Sequence, residues 1–370
     1  MTFIDYFTSI KDKKIAVLGL GVSNRPLVRL LLEFGCRVTG CDRTEREKLD
    51  EEVLELEKAG CVLSLGQGYL DDLDAELVFR TPGMHPGNPA LEQLRQKGAA
   101  ITSEMEVFFE VCPCHTIAVT GSDGKTTTTT LISEMLKAAG YKVWLGGNIG
   151  TPLLPLCRQM ERSDYAVVEL SSFQLMDMTL SPHVAVITNL APNHLDVHKD
   201  MEEYIWAKQN LYRYQKPGDV LVLNGDNSIT NAFDGVGETR YFSRQKSLEK
   251  GVYLKENMIY RDEMPVLDTS VILLPGVHNV ENYMAAIAAL QANHTHYAPN
   301  QGTPTLRQAV AEFETKRGNP TKPEQVLITI GACHALFTAL LGILNPGEEI
   351  IVPTPGFMLY ESIATVAGAT

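Results

Sequence analysis

Residues 119–127 have a sequence that could bind a nucleoside triphosphate. They read Val-Thr-Gly-Ser-Asp-Gly-Lys-Thr-Thr and join an apolar strand pattern at residues 116–120 to a helical pattern. In such a loop, backbone N–H groups bind phosphate oxygens, the lysine neutralises them, and a threonine hydroxyl can bind Mg²⁺. The segment therefore predicts a phosphate loop with Lys125 and Thr126 at the start of a helix. The alternative is a loop that only begins a helix.

Polar side chains also follow two later apolar segments. Glu169 comes near the end of the strand pattern at residues 165–170, and His194 follows the pattern at residues 184–189. Because the carboxyl ends of parallel strands share one edge of a sheet, we expect both side chains near the phosphate loop. The Glu169 carboxylate suits a hard cation such as Mg²⁺. His194 either binds a ligand or makes a structural hydrogen bond. Lys208, taken alone, reads as a solvent-exposed lysine.

A second glycine-rich turn lies near the start of the sequence. Residues 19–24 read Gly-Leu-Gly-Val-Ser-Asn after a strand pattern, and Asp42 ends the next strand pattern. Such a turn lets a phosphate approach helix N–H groups, and the acid can accept hydrogen bonds from a ribose. Residues 81–83, Thr-Pro-Gly, are expected to face the same crevice. A dinucleotide site of the dehydrogenase type is one interpretation, although Asn24 stands at its third glycine. A turn without a ligand is the other.

The elements that must position these residues alternate between strands and helices. A first series has strand patterns at 15–18, 37–41, 62–65 and 77–79, with helices at 25–34 and 89–97. A second series has strands at 116–120, 141–145, 165–170, 184–189 and 220–224, with a helix at 204–212. This alternation predicts an α/β protein with two consecutive doubly wound, mostly parallel sheets. We place the domains at residues 1–105, 106–290 and 291–370.

The third region differs in character from the first two. A polar, turn-rich loop at residues 293–302 leads into a helix (305–316), a strand (326–330), a helix (335–344) and a strand (350–352). Residues 326–347 contain no Asp, Glu, Lys or Arg. Because glycines and a Pro-Gly turn interrupt this run, a buried strand and helix fit it better than a membrane span.

Composition excludes several classes of protein. The 370 residues are 44% hydrophobic and 21% charged, with a net charge of −13, so a nucleic-acid partner is not expected. The seven scattered cysteines favour free thiols in a reducing compartment. The N-terminus has no signal-peptide pattern, and we expect a cytoplasmic protein without a membrane segment. The oligomeric state stays open.

Six motifs together resemble the Mur ligase family. They occur in one order over residues 13–290: the phosphate loop, Gly-Gly-Asn-Ile-Gly at 146–150, Glu-Leu-Ser-Ser-Phe-Gln at 169–174, Asn-His-Leu-Asp at 193–196, Ala-Lys at 207–208, and Pro-Gly-Val-His-Asn-Val-Glu-Asn at 275–282. The resemblance implies a Rossmann-like domain that binds a UDP substrate, followed by a P-loop ATPase-like domain.

The same resemblance implies a reaction and a role for each motif residue. The activity would be the ATP-dependent ligation of D-glutamate to UDP-N-acetylmuramoyl-L-alanine through an acyl phosphate, in peptidoglycan precursor synthesis. Lys125, His194 and Lys208 would be catalytic, with Lys208 carbamylated. Mg²⁺ would be held by Thr126, Glu169, His194 and Lys208. ATP would contact Gly121, Ser122, Asp123, Gly124, Lys125, Thr126, Thr127, Asn279 and Asn282. The UDP substrate would contact Gly21, Ser23, Asn24, Asp42, Arg43, Pro82, Gly83, Asn148 and Ser171.

Residues after about 291 resemble another family, the fold-type-I aminotransferases that use pyridoxal phosphate. The matching segments are residues 297–307, 329–336 and 345–357. By this resemblance, the turn after Gly331 would bind the cofactor phosphate and Phe357 would stack on its ring. No lysine follows Lys322, so the Schiff-base lysine is lacking and pyridoxal phosphate is not expected. The motifs of the ligase third domain do not occur either. A chimera that only binds nucleotide and an aminotransferase fragment are therefore the alternatives to an active ligase.

Overall fold

A computed structural model describes residues 1–192, 198–294, 301, 304–329, 331–352, 356 and 359–369. The chain forms two compact units, Met1–Asn293 and His294–Thr370. The first unit contains two sheets, and their strands follow the two series predicted from the sequence.

The first sheet is parallel throughout and has the strand order β3-β2-β1-β4-β5. Its strands are β1 Lys14–Leu18, β2 Arg37–Asp42, β3 Val62–Leu65, β4 Leu77–Phe79 and β5 Ala100–Thr102. The helices of this part are α1 Phe3–Ile10, α2 Asn24–Glu33, α3 Glu51–Lys58, α4 Pro89–Gln96 and α5 Glu104–Val111. The near-continuous apolar runs of β1 and β4 fit strands that are covered on both faces.

The second sheet has nine strands in the order β14-β13-β12-β11-β10-β9-β6-β8-β7. They are β6 His115–Thr120, β7 Val143–Gly147, β8 Tyr165–Glu169, β9 Val184–Ile187, β10 Val220–Asn224, β11 Glu238–Ser243, β12 Val252–Lys255, β13 Met258–Arg261 and β14 Met264–Asp268. Pairing is parallel from β7 through β12 and antiparallel from β12 to β14. The predicted α/β class with parallel sheets is confirmed. Strand β7 begins two residues later than predicted.

Four helices accompany the second sheet: α6 Lys125–Ala138, α7 Ser172–Leu175, α8 Met201–Arg213 and α9 Val277–His294. Helix α9 presents a face of small residues, in which Ala285, Ala286, Ala288 and Ala289 are at most 1% exposed. These alanines share a buried apolar cluster with β6 and β9. A second cluster includes Val17 of β1 and Val168 of β8, so the two sheets share a hydrophobic core.

The second unit contains the helices α10 Pro304–Lys316, α11 Gly331–Ile343 and α12 Leu359–Ala367. The two strands predicted there are wrong for the residues that the structure describes, because 326–329 and 350–352 form neither helix nor strand. The apolar composition suggested strands, but a strand also needs hydrogen-bonded neighbours. No strand is found among the described residues of this unit. Residues 297–300, 302–303, 330, 353–355 and 357 of the aminotransferase-like segments lie outside the described residues.

Among the described residues, no helix is long and apolar enough to cross a membrane.

Candidate active site

The phosphate loop leaves β6 at Thr120 and ends where α6 begins at Lys125. Gly121 and Gly124 both have positive φ angles, +155° and +77°. A Cβ atom on Gly124 would lie 2.2 Å from Asn282 Oδ1, so only glycine fits. Helix α6 has no side-chain N-cap and no acidic residue in its first turn. Its first N–H groups are therefore suited to bind an anion.

The loop is fixed from the strands beside it. Ser122 Oγ donates a hydrogen bond to Ala191 O (2.9 Å), and Asp123 N donates one to Asn189 Oδ1 (3.0 Å). Thr188 Oγ1 donates to Asp123 O (2.6 Å). Ser122 and Asp123 thus hold the loop in shape through these bonds, while the Asp123 residue itself is exposed.

Lys125 folds over the loop that precedes it. Its Nζ donates to Gly121 O (3.0 Å) and Ser122 O (2.9 Å). Burial lowers the pKa of Lys125, and the carboxylates of Glu169 and Asp123 act in the opposite direction. The ammonium group is therefore positioned where the loop would surround a phosphate. Thr127, the last of the predicted loop residues, is half-buried in the first turn of α6.

Three predicted residues meet at the ends of β7 and β8. Glu169 is 1% exposed. Its Oε2 accepts a hydrogen bond from Thr126 Oγ1 (2.7 Å), and its Oε1 accepts one from Asn148 Nδ2 (2.9 Å). This set of a hydroxyl, a carboxylate and an amide offers the oxygen ligands that Mg²⁺ prefers. In the described part of the chain, no three His, Cys, Asp or Glu side chains come together as a metal site. His194 lies outside the described residues.

Lys208 is buried, contrary to the solvent-exposed position that the sequence alone suggests. It is 1% exposed on α8. Its Nζ donates to Thr120 Oγ1 (3.1 Å) and Gly121 O (2.9 Å). Burial, aided by the positive charge of Lys125, lowers the pKa of Lys208 to about 7. A large fraction of this amine is therefore neutral near physiological pH.

A cleft of about 390 Å³ opens beside the loop. It is lined by Asp123, Gly124, Thr188, Asn189, Phe242, His278, Glu281 and Asn282. Asn282 Nδ2 donates to Asn279 Oδ1 (3.1 Å), and Asn279 Nδ2 donates to Pro275 O (2.6 Å). Of the two predicted adenine contacts, Asn282 therefore faces the cleft, and Asn279 orients Asn282 and anchors the start of α9.

The first glycine turn is held by its own polar side chains. Asn24 Nδ2 donates to Leu18 O (3.1 Å) and Gly19 O (2.9 Å). Asp42 Oδ2 accepts from Leu20 N (2.7 Å), and its Oδ1 accepts from Thr44 N (2.9 Å). Burial acts to raise the pKa of Asp42, but these backbone donors outweigh it and the pKa is lowered. Asn24 occupies the position of the third glycine as a structural anchor.

Two cavities border this turn. One of about 270 Å³ is lined by Gly19, Asp42, Arg43, Tyr69, Thr81, Gly83 and Met84. A smaller one of about 30 Å³ is lined by Ser23, Asn24, Arg80, Pro82, Ser103, Glu104, Met105, Gly147, Pro152 and Gln174. Six of the nine predicted UDP-binding residues line these cavities: Asp42, Arg43 and Gly83 the larger, and Ser23, Asn24 and Pro82 the smaller. Gly21 is exposed nearby, and Ser171 caps α7 by accepting from Gln174 N (3.3 Å).

Sequence reasoning missed Arg80, His198 and Glu203, which are buried or half-buried. None belongs to a motif. For Arg80, the sequence offers one indication: an arginine lies between a buried strand pattern and the Thr-Pro-Gly turn, where a charged side chain needs hydrogen-bond or ionic partners.

Together these features define an α/β protein in which a phosphate-loop sequence, a carboxylate and a buried lysine meet at one sheet edge. Residues 119–290 match the family model of the Mur ligase middle domain. Residues 266–370 match the model of aminotransferases of class I and II. The two matches share residues 266–290.

Curated relatives named UDP-N-acetylmuramoylalanine–D-glutamate ligase confirm the resemblance to Mur ligases. The protein from Acetivibrio thermocellus is 52% identical over 293 residues, which are 77% of this chain and 63% of the relative. The protein from Clostridium kluyveri is 50% identical over 292 residues, 78% of this chain and 64% of the relative. The chain thus spans just under two thirds of the length of these relatives.

A solved structure supports the fold. The UDP-N-acetylmuramate:L-alanyl-γ-D-glutamyl-meso-diaminopimelate ligase from Neisseria meningitides aligns with a TM-score of 0.52 at 21% identity. The alignment covers 76% of this chain and 94% of that protein.

Proposed function

We propose that this chain carries the catalytic portion of an enzyme that joins D-glutamate to UDP-N-acetylmuramoyl-L-alanine at the expense of ATP. The observation that carries the proposal is the convergence of Lys125, Glu169 and Lys208 around one phosphate loop. The sequence identity of 50–52% to relatives that are named for this activity supports the choice of substrates. Peptidoglycan precursor synthesis in the cytoplasm is the corresponding setting.

Each group has a defined task in the proposed reaction. Loop N–H groups and Lys125 would bind the triphosphate and stabilise charge on the transferred phosphoryl group. A carboxylate oxygen of the alanyl substrate forms a bond to the γ-phosphorus while the bond to ADP breaks, which gives an acyl phosphate. The amine of D-glutamate then attacks the acyl carbon, and inorganic phosphate leaves with formation of the amide.

Thr126 and Glu169 are the residues that would hold Mg²⁺, because their oxygens already lie within 2.7 Å of each other at the loop. Such an ion supplies charge neutralisation at the phosphate oxygens. His194 is proposed as a further ligand from the family resemblance. ATP and Mg²⁺ are the cofactors that the family implies.

Lys208 is proposed to be carbamylated. Its neutral amine would attack CO₂ to form a carbamate with loss of one proton, which converts a cation into an anion beside the phosphate loop. Intact-mass analysis in bicarbonate buffer should then find a carboxylate adduct that is lost in Lys208→Ala. A matched Lys137→Ala variant, altered at an exposed lysine of α6, should keep it. An unmodified Lys208 in bicarbonate would contradict this part of the proposal.

A second candidate function is nucleotide binding without ligation. It is favoured by one observation, the match of residues 266–370 to aminotransferases. In the ligase family a third domain binds the amino acid, and the residues after α9 resemble a different protein.

Calorimetric titration of the chain tests the proposal against a dehydrogenase. We expect Mg·ATP and UDP-N-acetylmuramoyl-L-alanine each to bind one site, and NADH not to bind. Binding of NADH, or failure to bind the UDP compound, would reject the proposed substrates. Phosphate release that requires both the UDP compound and D-glutamate would separate ligation from simple binding.

A further inference from the structure

Arg80 is the largest fully buried side chain among the described residues. It follows β4 directly, and its side chain is 0% exposed. Arginine is rarely enclosed in this way unless it is paired. The residue also immediately precedes the turn at 81–84, which lines the cavity proposed to bind the UDP substrate.

One side of the Arg80 guanidinium holds this turn. Nη1 donates to Met84 O (2.6 Å) and Thr81 O (3.1 Å). These two carbonyls belong to the first and last residues of the turn. The arginine therefore fixes the backbone that presents Thr81 and Gly83 to the larger cavity.

The other side of the guanidinium reaches α7 and the residues just after it. Nε donates to Asp177 Oδ2 (2.9 Å), Nη2 donates to Asp177 Oδ1, and Nη2 also donates to Phe173 O (3.2 Å). Phe173 belongs to α7, which begins three residues after Glu169. The paired carboxylate balances the buried charge in a bidentate geometry that arginine supports and lysine does not.

A second path joins the same two places. His85, just after the turn, has its Nε2 3.3 Å from Glu203 Oε1. Glu203 Oε2 lies 3.6 Å from Nδ1 of His198, whose Nε2 forms a 2.8 Å hydrogen bond with Ser172 Oγ. His198 is 2% exposed and stacks on Phe173 with ring centroids 5.2 Å apart. Turn 81–84 is thus connected to α7 through Arg80, and His85, the residue after the turn, lies at the start of a second series of polar side chains that ends at α7.

All five guanidinium N–H groups of Arg80 have acceptors: Thr81 O, Met84 O, Phe173 O and the two oxygens of Asp177. No donor remains for a substrate phosphate, although a cation beside a nucleotide cavity would suggest that role. We propose instead that Arg80 is a positioning residue that couples the UDP-substrate site to the phosphate-transfer site through Asp177 and α7. This inference rests on the proposed function.

Two conservative variants test the coupling, Arg80→Lys and Asp177→Asn. Lysine keeps the charge but cannot hold both the turn and α7, and asparagine keeps the shape but removes the paired charge. We expect each to weaken binding of UDP-N-acetylmuramoyl-L-alanine about tenfold or more, as for groups in one hydrogen-bonded network. Binding of Mg·ATP should change little. The double variant should be no weaker than the worse single variant.

Arg29→Lys is the matched control, because Arg29 is 46% exposed on α2 and pairs with Glu55 at the surface. It should change neither dissociation constant. Retained Mg·ATP binding also serves as the measure that each variant is folded.

Several results would overturn the inference. If Arg80 were a phosphate ligand, Arg80→Lys would keep most of the affinity and Asp177→Asn would not share its defect. If the role were only structural, the affinities for ATP and for the UDP compound would fall in parallel with the melting temperature. Failure of the unaltered chain to bind the UDP compound would reject the proposed function itself. Unchanged UDP binding in Arg80→Lys, with normal binding by the parent, would reject only the coupling.

Discussion

The first unit and the residues after it place their apolar side chains differently. In Met1–Asn293 the strands β6, β8, β9 and β10 have partner strands on both sides and are buried almost throughout. Among the described residues of His294–Thr370, Phe337, Leu341 and Ile343 on α11 are 42%, 38% and 69% exposed, and Ile351 is 97% exposed. Both regions have α/β sequence patterns, but among the described residues a sheet-centred core is found in the first unit alone.

This difference indicates that the candidate active site depends on the first unit. A site requires side chains held by neighbours, and the groups described around the phosphate loop are all held within the first unit. The four predictions that follow test this assignment, in order of expected effect.

The largest effect is expected from Lys125→Ala. Removal of the ammonium group that would neutralise the phosphates at the loop should abolish most of the affinity for Mg·ATP in titrations, by about a hundredfold or more. Lys137→Ala, an exposed change on the same helix, is the control and should have no effect. Unchanged ATP affinity in Lys125→Ala would move the nucleotide site elsewhere.

The next effect concerns turnover. We expect the 370-residue chain to show D-glutamate-dependent phosphate release at least about 10²-fold below that of the Clostridium kluyveri relative, because the amine must be held close to the acyl phosphate. In a hybrid protein, residues 294–370 are replaced by the C-terminal part of the relative. This hybrid should recover D-glutamate-dependent phosphate release. Strong stimulation of the unaltered chain by D-glutamate would show that those residues complete the site.

A smaller effect concerns pH and the core of the first unit. Burial raises the pKa of Glu104 to about 7, while the N–H of Leu154, which donates to it at 3.0 Å, acts to lower it. Between pH 4.5 and 7 the folded chain therefore holds a proton that the unfolded chain releases. The free energy of unfolding should fall as pH rises through this window, by at most about 1.4 kcal/mol per unit.

Urea titrations at several pH values check this slope. Glu104→Gln should flatten it, and Glu134→Gln, at an exposed residue of α6, should not. An identical slope in Glu104→Gln would mean that this carboxyl group does not carry the dependence.

The smallest effect is expected when the second unit is altered. Ile351→Lys should reduce self-association in light scattering, because it removes an apolar side chain that is nearly fully exposed. The melting temperature of the main transition should move by less than about 2 °C, since surface changes away from a core have small effects. Val62→Lys, at a 64% exposed position of β3, is the control and should leave self-association unchanged. A large fall in melting temperature for Ile351→Lys would place that side chain in a core.

Local patterns predicted most of the first unit. The phosphate loop, the strand that carries Glu169 and the two sheets follow from apolar runs, glycines and the rule that parallel strands end at one edge. Helices α10 and α11 were also predicted, because helix periodicity is local. The strands at 326–330 and 350–352 were not found in the described residues, since a strand depends on neighbours that a sequence pattern does not reveal.

Long-range contacts account for what sequence reasoning missed at the site. Lys208 reads as a surface lysine on a helix, and its burial depends on Thr120 and Gly121, which lie far away in sequence. Arg80 reads as a charge next to a turn, and its partner Asp177 is 97 positions later. Asn24 was assigned to a substrate, but its amide is used by the turn itself. None of these contacts can be recognised from the local pattern of apolar and polar residues.

The alanine face of α9 has a consequence for how such proteins can be engineered. Four buried alanines of α9 pack in the core around β6 and β9: Ala285, Ala286, Ala288 and Ala289. This part of the core is therefore formed by residues that precede residue 294. We expect that a different sequence beyond that point would leave the packing of the two sheets unchanged. The end of α9 is therefore a suitable junction for protein engineering that grafts other domains onto the first unit.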